Sequence, residues 1–230
     1  MKKYLMILSI AALGYTANAQ DSKLYLKGGL NLANVSTSSD GSIDNANMLP
    51  SFHAGLMADL PLGAGALSFQ PGLLFSGKGS KIEIGNSNDP SYLQSTTRPY
   101  YIEMPLNLVV NLPLSDKESK FFIGGGVYGA MGIAGKYSYE GKIFGASISG
   151  SDKIEFTNDD PTTSEEEGAG LGMMKRWDYG LNGTAGFAFN NFLVSVNYGH
   201  GLAKLNSGTA NSSNDNNKHR VWSLSLGISL

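Results

Sequence analysis

The sequence predicts an all-β fold: an eight-stranded antiparallel up-and-down β-barrel that is transmembrane. Three observations carry this. Eight runs of residues alternate apolar side chains with small or polar ones. The connections between those runs alternate between short and long. Glycine supplies 30 of the 230 residues, close to twice the usual share of about 7%.

Composition removes several other classes. Charged residues make up 16% of the chain, well under the usual ~25%, while hydrophobic residues make up 41%, too many for a disordered chain. Cysteine is absent, so there is no disulfide framework, thiolate nucleophile, cysteine-ligated zinc or lipidated cysteine anchor. A formal net charge of −2 argues against a nucleic-acid partner. A mean hydropathy of −0.12 is too polar for a bundle of membrane helices.

The amino terminus reads as a secretory signal peptide. Lys2 and Lys3 precede an apolar run from Leu5 to Leu13, and the run ends in Ala17-Asn18-Ala19. The run is far shorter than the ~20 residues of a spanning helix, and cleavage is expected after Ala19. The domain plan is therefore 1–19 signal peptide and 20–230 barrel. The mature chain loses two lysines and carries a net charge of −4.

The first strand, 23–33, sets Leu24, Leu26, Leu30 and Leu32 opposite Tyr25, Lys27, Gly29 and Asn31. Side chains alternate across a strand, so one face is apolar and the other polar. The second strand, 51–60, and the third, 66–76, behave alike and are joined by the short stretch from Pro61 to Gly65. The fourth, 100–112, aligns Ile102, Met104, Leu106, Leu108, Val110 and Leu112 against Glu103, Pro105, Asn107, Val109 and Asn111. Pro71 and Pro105 each remove a ladder donor, and bulges or rim positions are expected there. The fifth strand, 120–132, contains Gly124-Gly125-Gly126, and its facing is ambiguous. The sixth, 178–189, and seventh, 192–201, meet at Asn190-Asn191. The eighth, 219–230, is the clearest: Trp222, Leu224, Leu226, Ile228 and Leu230 oppose Val221, Ser223, Ser225, Gly227 and Ser229.

Most of these runs are ten to thirteen residues, the length of a tilted membrane strand. Residues 34–50, 77–99, 133–177 and 202–218 are read as long loops. Long loops on one side and short turns on the other are the outer-membrane pattern, with the long loops outside the cell. Two aromatic girdles are expected. Tyr100, Tyr101, Trp177, Tyr179, Tyr198 and Trp222 lie near the long loops, and Phe121, Phe122, Phe187, Phe189 and Phe192 near the turns. A soluble barrel would show a wet polar face. Here the polar face is Gly, Ser, Thr and Asn with few Lys or Glu, the composition of a packed interior. Closure also pairs every backbone group, as lipid demands.

Several stretches are similar to a known family: FQPGLLFSGKGSK at 69–81, YYIEMPLNL at 100–108, SKFFIGGGVYGAMG at 119–132 and GFAFNNFLVSVNYGHGL at 186–202. The chain resembles the PorT-like outer-membrane β-barrels of the Bacteroidetes, similar in architecture to small barrels such as OmpX and OmpA. The resemblance covers essentially the whole mature chain and implies an outer-membrane location. Its motifs are structural, and it does not imply the secretion role of the protein that named the family.

Eight strands leave an interior that side chains just fill, so no aqueous pore is expected. Lys27 and Glu103 are assigned to that interior, with Asp59 and Gln70 beside them, as a polar network that pairs its charges. His53, His200 and His219 fall near the long-loop ends, with Ser51 and Asp178 nearby. A rim hydrolase would need a nucleophile and base in hydrogen-bond reach. No spacing enforces that, and no Gly-x-Ser-x-Gly elbow occurs. Asp159, Asp160, Glu165, Glu166 and Glu167 lack the ligand spacing of a calcium loop. No catalytic, cofactor-binding or metal residue is assigned and no cofactor is expected. The reading is a non-enzymatic outer-membrane protein surrounded by lipid, with a structural or interaction role carried by its long extracellular loops and a protein partner on them. The alternatives are a component of a secretion machinery and a rim-sited lipid-modifying enzyme.

Overall fold

The computed structural model describes residues 22–36, 48–63, 66–85, 89–114, 119–157, 173–205 and 217–230. The signal segment, the acidic cluster at 159–167 and most of the 206–217 run lie outside these residues. No helix occurs among the described residues.

Twelve strands form in chain order: β1 (Lys23–Ser36), β2 (Leu49–Pro61), β3 (Leu67–Gly77), β4 (Ser80–Ile84), β5 (Tyr92–Pro113), β6 (Ser119–Ile143), β7 (Ala146–Lys153), β8 (Glu155–Thr157), β9 (Met173–Lys175), β10 (Trp177–Phe189), β11 (Phe192–Gly201) and β12 (Lys218–Ser229). Eight of them, β1, β2, β3, β5, β6, β10, β11 and β12, pair in that order, all antiparallel. The ring closes where β1 pairs with β12, from Tyr25 opposite Ser229 to Ser36 opposite Lys218. This is the eight-stranded barrel the alternation predicts.

The facing of the strands identifies the solvent. Leu30, Leu226, Leu224, Leu108 and Ile123 stand outward and exposed, while Asn31, Ser225, Gln70 and Asp59 are buried inside. An outer wall of aliphatic side chains around a polar interior is the inverse of a soluble barrel and matches a lipid surround. On β6 the ambiguity resolves by parity. Phe122, Tyr128 and Ala130 point in, and Ile123, Val127 and Met131 point out.

Three expectations are corrected. The stretches 77–99 and 133–177 are not loops throughout. β5 and β6 continue past the barrel wall, β4 and β7 pair along their outer edges, and a four-stranded arm results in the order β4-β5-β6-β7. The pattern was invisible because outside the bilayer neither face must be apolar.

Pro71 and Pro105 are neither bulges nor rim positions. Pro71 pairs with Leu106 and Pro105 with Tyr128 in mid-strand. The β2–β3 ladder skips the pairs between Met57–Gly72 and Leu60–Phe69 and resumes in the same register. The missing donors are absorbed by local gaps. The register shift lies instead at Tyr100/Tyr101, opposite Ala134 and Gly132, so Ile133 is the extra residue.

Tyr101 and Phe122 leave the girdles. Both are fully buried in the interior, because each shares the parity of inward residues on its strand. The outer girdle near the long strands retains Tyr100, which stacks on Phe75, together with Tyr198 against Trp222. Near the turns, Phe121, Phe187 and Phe189 pack on one another.

Candidate functional site: the barrel interior and its arm

The interior is layered. At the turn end, Tyr25, Met57, Val109, Phe122 and Leu193 form an apolar floor. Beside it Asp59 accepts from Lys120 Nζ at 2.5 Å and from Gln70 Nε2 at 3.3 Å. Asp59 and Gln70 thus meet directly, through side chains carried on β2 and β3.

The middle layer is polar. Asn31 Nδ2 donates to the Gly77 carbonyl at 2.9 Å, which fixes the amide so that Oδ1 is an acceptor. Oδ1 takes a bond from Ser223 Oγ at 2.8 Å and one from His53 Nδ1 at 2.7 Å. With its proton on Nδ1, the neutral His53 ring accepts from Ser225 Oγ at Nε2, 2.9 Å away. Ser225 Oγ also accepts from Asn197 Nδ2 at 3.0 Å. The chain of bonds has the polarity of a hydrolytic triad. However, Ser225 has no exposed surface, so an acyl group cannot reach its oxygen. What the arrangement does is tie β1, β2, β11 and β12 together across the closing seam.

Above it sits the charge cluster. Lys78, in the two-residue step between β3 and β4, places Nζ 2.7 Å from Glu103 and 2.8 Å from Asp178. The same ammonium lies 4.2 Å from the Tyr128 ring centroid and 5.3 Å from that of Tyr101. Tyr128 OH donates to Asp178 at 3.2 Å. Lys27 is buried, and it forms no ion pair with Glu103. It donates to Asn197 Oδ1 at 3.4 Å. A cavity of about 50 Å³, lined by Lys27, His53, Glu103, Asn107 and Asn197 among others, has room for a few waters and no more.

The mouth is covered. Ile154, Met174 and Leu205 cluster with Val35, Tyr137 and Phe156, and Phe156 meets Tyr101 edge-on. Gly132 N donates to Arg176 O and Ile154 N to Gly135 O, pinning the β8–β9 segment over the lumen. Sequence reasoning missed Lys78 because it stands in what read as the start of a loop, and its two partners come from strands far along the chain.

The residues considered for a hydrolytic rim do not converge. His53 bonds to Ser225 and not to Ser51. Asp178 is held by Lys78 and Tyr128. His219 Nε2 faces Tyr101 OH at 3.3 Å, and His200 stands against the Tyr198 ring.

The arm carries the exposed features. Its inward-continuing face bears Ile82, Ile84, Leu93, Tyr139 and Ile143, all exposed. Its tip is the two-residue turn Phe144-Gly145, where both residues take positive φ and Phe144 is 93% exposed. β4 and β7 each have one neighbour among the described strands, so the arm has two open edges.

No well-characterised protein gives a significant sequence match to the chain. Among solved structures, the attachment invasion locus protein Ail of Yersinia pestis is similar at 14% identity, covering 92% of this chain and 100% of that one, with a TM-score of 0.42. Neisserial surface protein A is similar at 11% identity, with the same coverage and a TM-score of 0.42. CarO2 of Acinetobacter baumannii is similar at 10% identity, covering 90% and 99%, with a TM-score of 0.34. A sequence profile described as an outer membrane protein beta-barrel domain matches residues 18–207. With that match spanning most of its length and an apolar outer wall to face lipid, the chain belongs to the outer membrane beta-barrel domain family and resides in the outer membrane.

Proposed function

We propose that this is a non-enzymatic surface protein whose barrel is an anchor and whose arm is the working part, placed outside the cell to engage a protein partner. The observation that carries this reading is the arm itself. A filled, capped lumen offers no route for a solute, whereas the arm holds exposed Ile82, Ile84, Leu93 and Phe144 between two open strand edges. Function on extensions of a rigid scaffold is the general pattern. The PorT-like character of segments 69–81, 100–108, 119–132 and 186–202 supports a Bacteroidetes lineage without assigning a role in secretion. Residues 1–19 act as the cleaved signal peptide, and a mature amino terminus other than Gln20 would refute that part.

The test is complementation of a deletion strain by two forms. One is the intact protein. The other has Ile82, Ile84, Leu93 and Phe144 all changed to serine. A photo-crosslinker at Tyr139 should capture a discrete partner with the first form and not the second. If the serine form restores every phenotype of the deletion strain and keeps the same cross-link, the arm does not carry the function. A deletion strain with altered lipid-A mass spectra would instead favour the lipid-modifying reading.

A further inference from the structure

The outer face of the arm carries a row of like charges. Arg98 on β5 is directly opposite Lys136 on β6, and Lys136 is directly opposite Lys153 on β7. All three side chains are exposed. Neighbouring strands lie ~4.8 Å apart, so the row puts three cations along about 10 Å. No carboxylate forms an ion pair with any of them among the described residues. Like charges opposite one another weaken a sheet, so the row has a cost within the protein that a bound anion would remove.

Its height says which anion. Arg98 has the parity of Tyr100, Ile102 and Met104, so the row points out from the barrel on the lipid side. Tyr100, two residues below, stacks on Phe75 in the interfacial girdle. The row therefore sits one pleat repeat, roughly 7 Å, above the aromatic belt, at the level of lipid headgroups. In the row above it Ser138 is opposite Ser151 and supplies hydroxyls, while Thr96 is buried and its β4 neighbour Lys81 is paired with Glu83. Acidic side chains on this face first occur one row higher still, at Glu83 and Glu140. Below the row the wall is apolar, with Ile133, Met131 and Met104 exposed. Cations and hydroxyls directly above an aliphatic wall match a phosphate joined to acyl chains better than a free phosphate.

We propose that Arg98, Lys136 and Lys153 form a binding site for the phosphate of a phosphorylated glycolipid in the outer leaflet. The acyl chains of that lipid lie along Ile133, Met131 and Met104. Arginine provides a two-pronged donor for phosphate oxygens, and the lysines add point charges on either strand. The leaflet assignment rests on the proposal that the arm faces outward from the cell.

The test uses the full mature protein folded in a neutral detergent. Its melting temperature and native mass spectra are recorded with bisphosphorylated lipid A, with monophosphoryl lipid A and with inorganic phosphate. Lipid A should form a one-to-one adduct and raise the melting temperature, monophosphoryl lipid A should do less, and inorganic phosphate should do neither. The triple variant R98Q/K136Q/K153Q should bind lipid A at least about tenfold more weakly, since each lost charge-assisted bond is worth roughly that factor. Without lipid the variant should melt no lower than the native protein, because repulsion has been relieved. Equal lipid A binding by variant and native protein would overturn the site. An equal gain from inorganic phosphate would overturn its assignment to a lipid. Labelling of a cysteine at Ser147 by an impermeant reagent on intact cells tests the orientation separately. If that label fails while lipid A still binds, the outward arm is wrong and the phosphate site stands.

Discussion

Replacing Lys78 by methionine keeps most of the aliphatic stem and removes the ammonium with its hydrogen bond to Asp178. The ammonium it removes lies within 2.8 Å of two carboxylates, and side-chain exposure is 3% for Lys78, 0% for Asp178 and 14% for Glu103. Stranding one buried charge costs about 3–5 kcal/mol. Asp178 keeps only the Tyr128 hydroxyl bond and incurs most of that cost. Glu103 is closer to water and still feels the charge of Lys27, so it adds less. The expected loss is about 4–7 kcal/mol. Urea unfolding in phospholipid vesicles, followed by fluorescence of Trp177 and Trp222, measures it. Adding Asp178→Asn to Lys78→Met should recover more stability than adding Glu103→Gln, and both recoveries should be strongly non-additive. The reasoning fails if Lys78→Met lies within about 1 kcal/mol of the native protein, or if Asp178→Asn costs the same in both backgrounds.

Lys27 should behave oppositely: with a single 3.4 Å bond to Asn197, Lys27→Met should change unfolding stability by no more than about 1 kcal/mol, or raise it. Asn31→Leu should cost about 2–4 kcal/mol in the same assay, because His53 Nδ1–H, Ser223 O–H and the Gly77 carbonyl all lose their partner. Gly126→Ala should block folding, judged by the heat-modifiable gel shift, since its Cβ would strike the Leu106 carbonyl and Asn107 Cα of β5. Gly129→Ala, which meets open space, should fold normally. Nitroxides on cysteines at Leu224 and Leu226 should be relaxed by lipid-soluble oxygen far more than one at Ser223, and the reverse would mean the register is off by one residue.

The ring strands were legible because lipid on one side and a packed lumen on the other enforce period two, as Leu24 to Leu32 and Trp222 to Leu230 make plain. The arm was not, because Ser80–Ile84 and Ala146–Lys153 face water and carry no such constraint. The interior was legible by face but not by partner. Lys27, Asp59, Gln70 and Glu103 all point inward, yet which cation meets Glu103 depends on the turn that brings Lys78 back into the lumen. Tyr101 was within reach: it shares its parity with Glu103, and treating aromatics as interfacial by type overrode that signal. The Asn31–His53–Ser225 chain spans three strands and leaves no spacing to read.

The pairing of β1 with β12 is the one ring contact between strands at opposite ends of the chain, joining residues about 200 positions apart. Every other ring pairing links strands that follow each other around the ring, and such local contacts form early and cheaply. The wall therefore has to exist first as an open sheet with two adhesive edges, and it stays that way until β12 has been exported. During that interval the hazard is other chains, which can add to either edge. The bonds from Ser223 to Asn31 and from Ser225 to His53 form only when the right edge arrives in the right register. They act as a lock that accepts the chain's own last strand and leaves buried polar groups stranded under any substitute. A chain that lost its final strand to truncation would be expected to aggregate before insertion rather than enter the membrane as a smaller barrel.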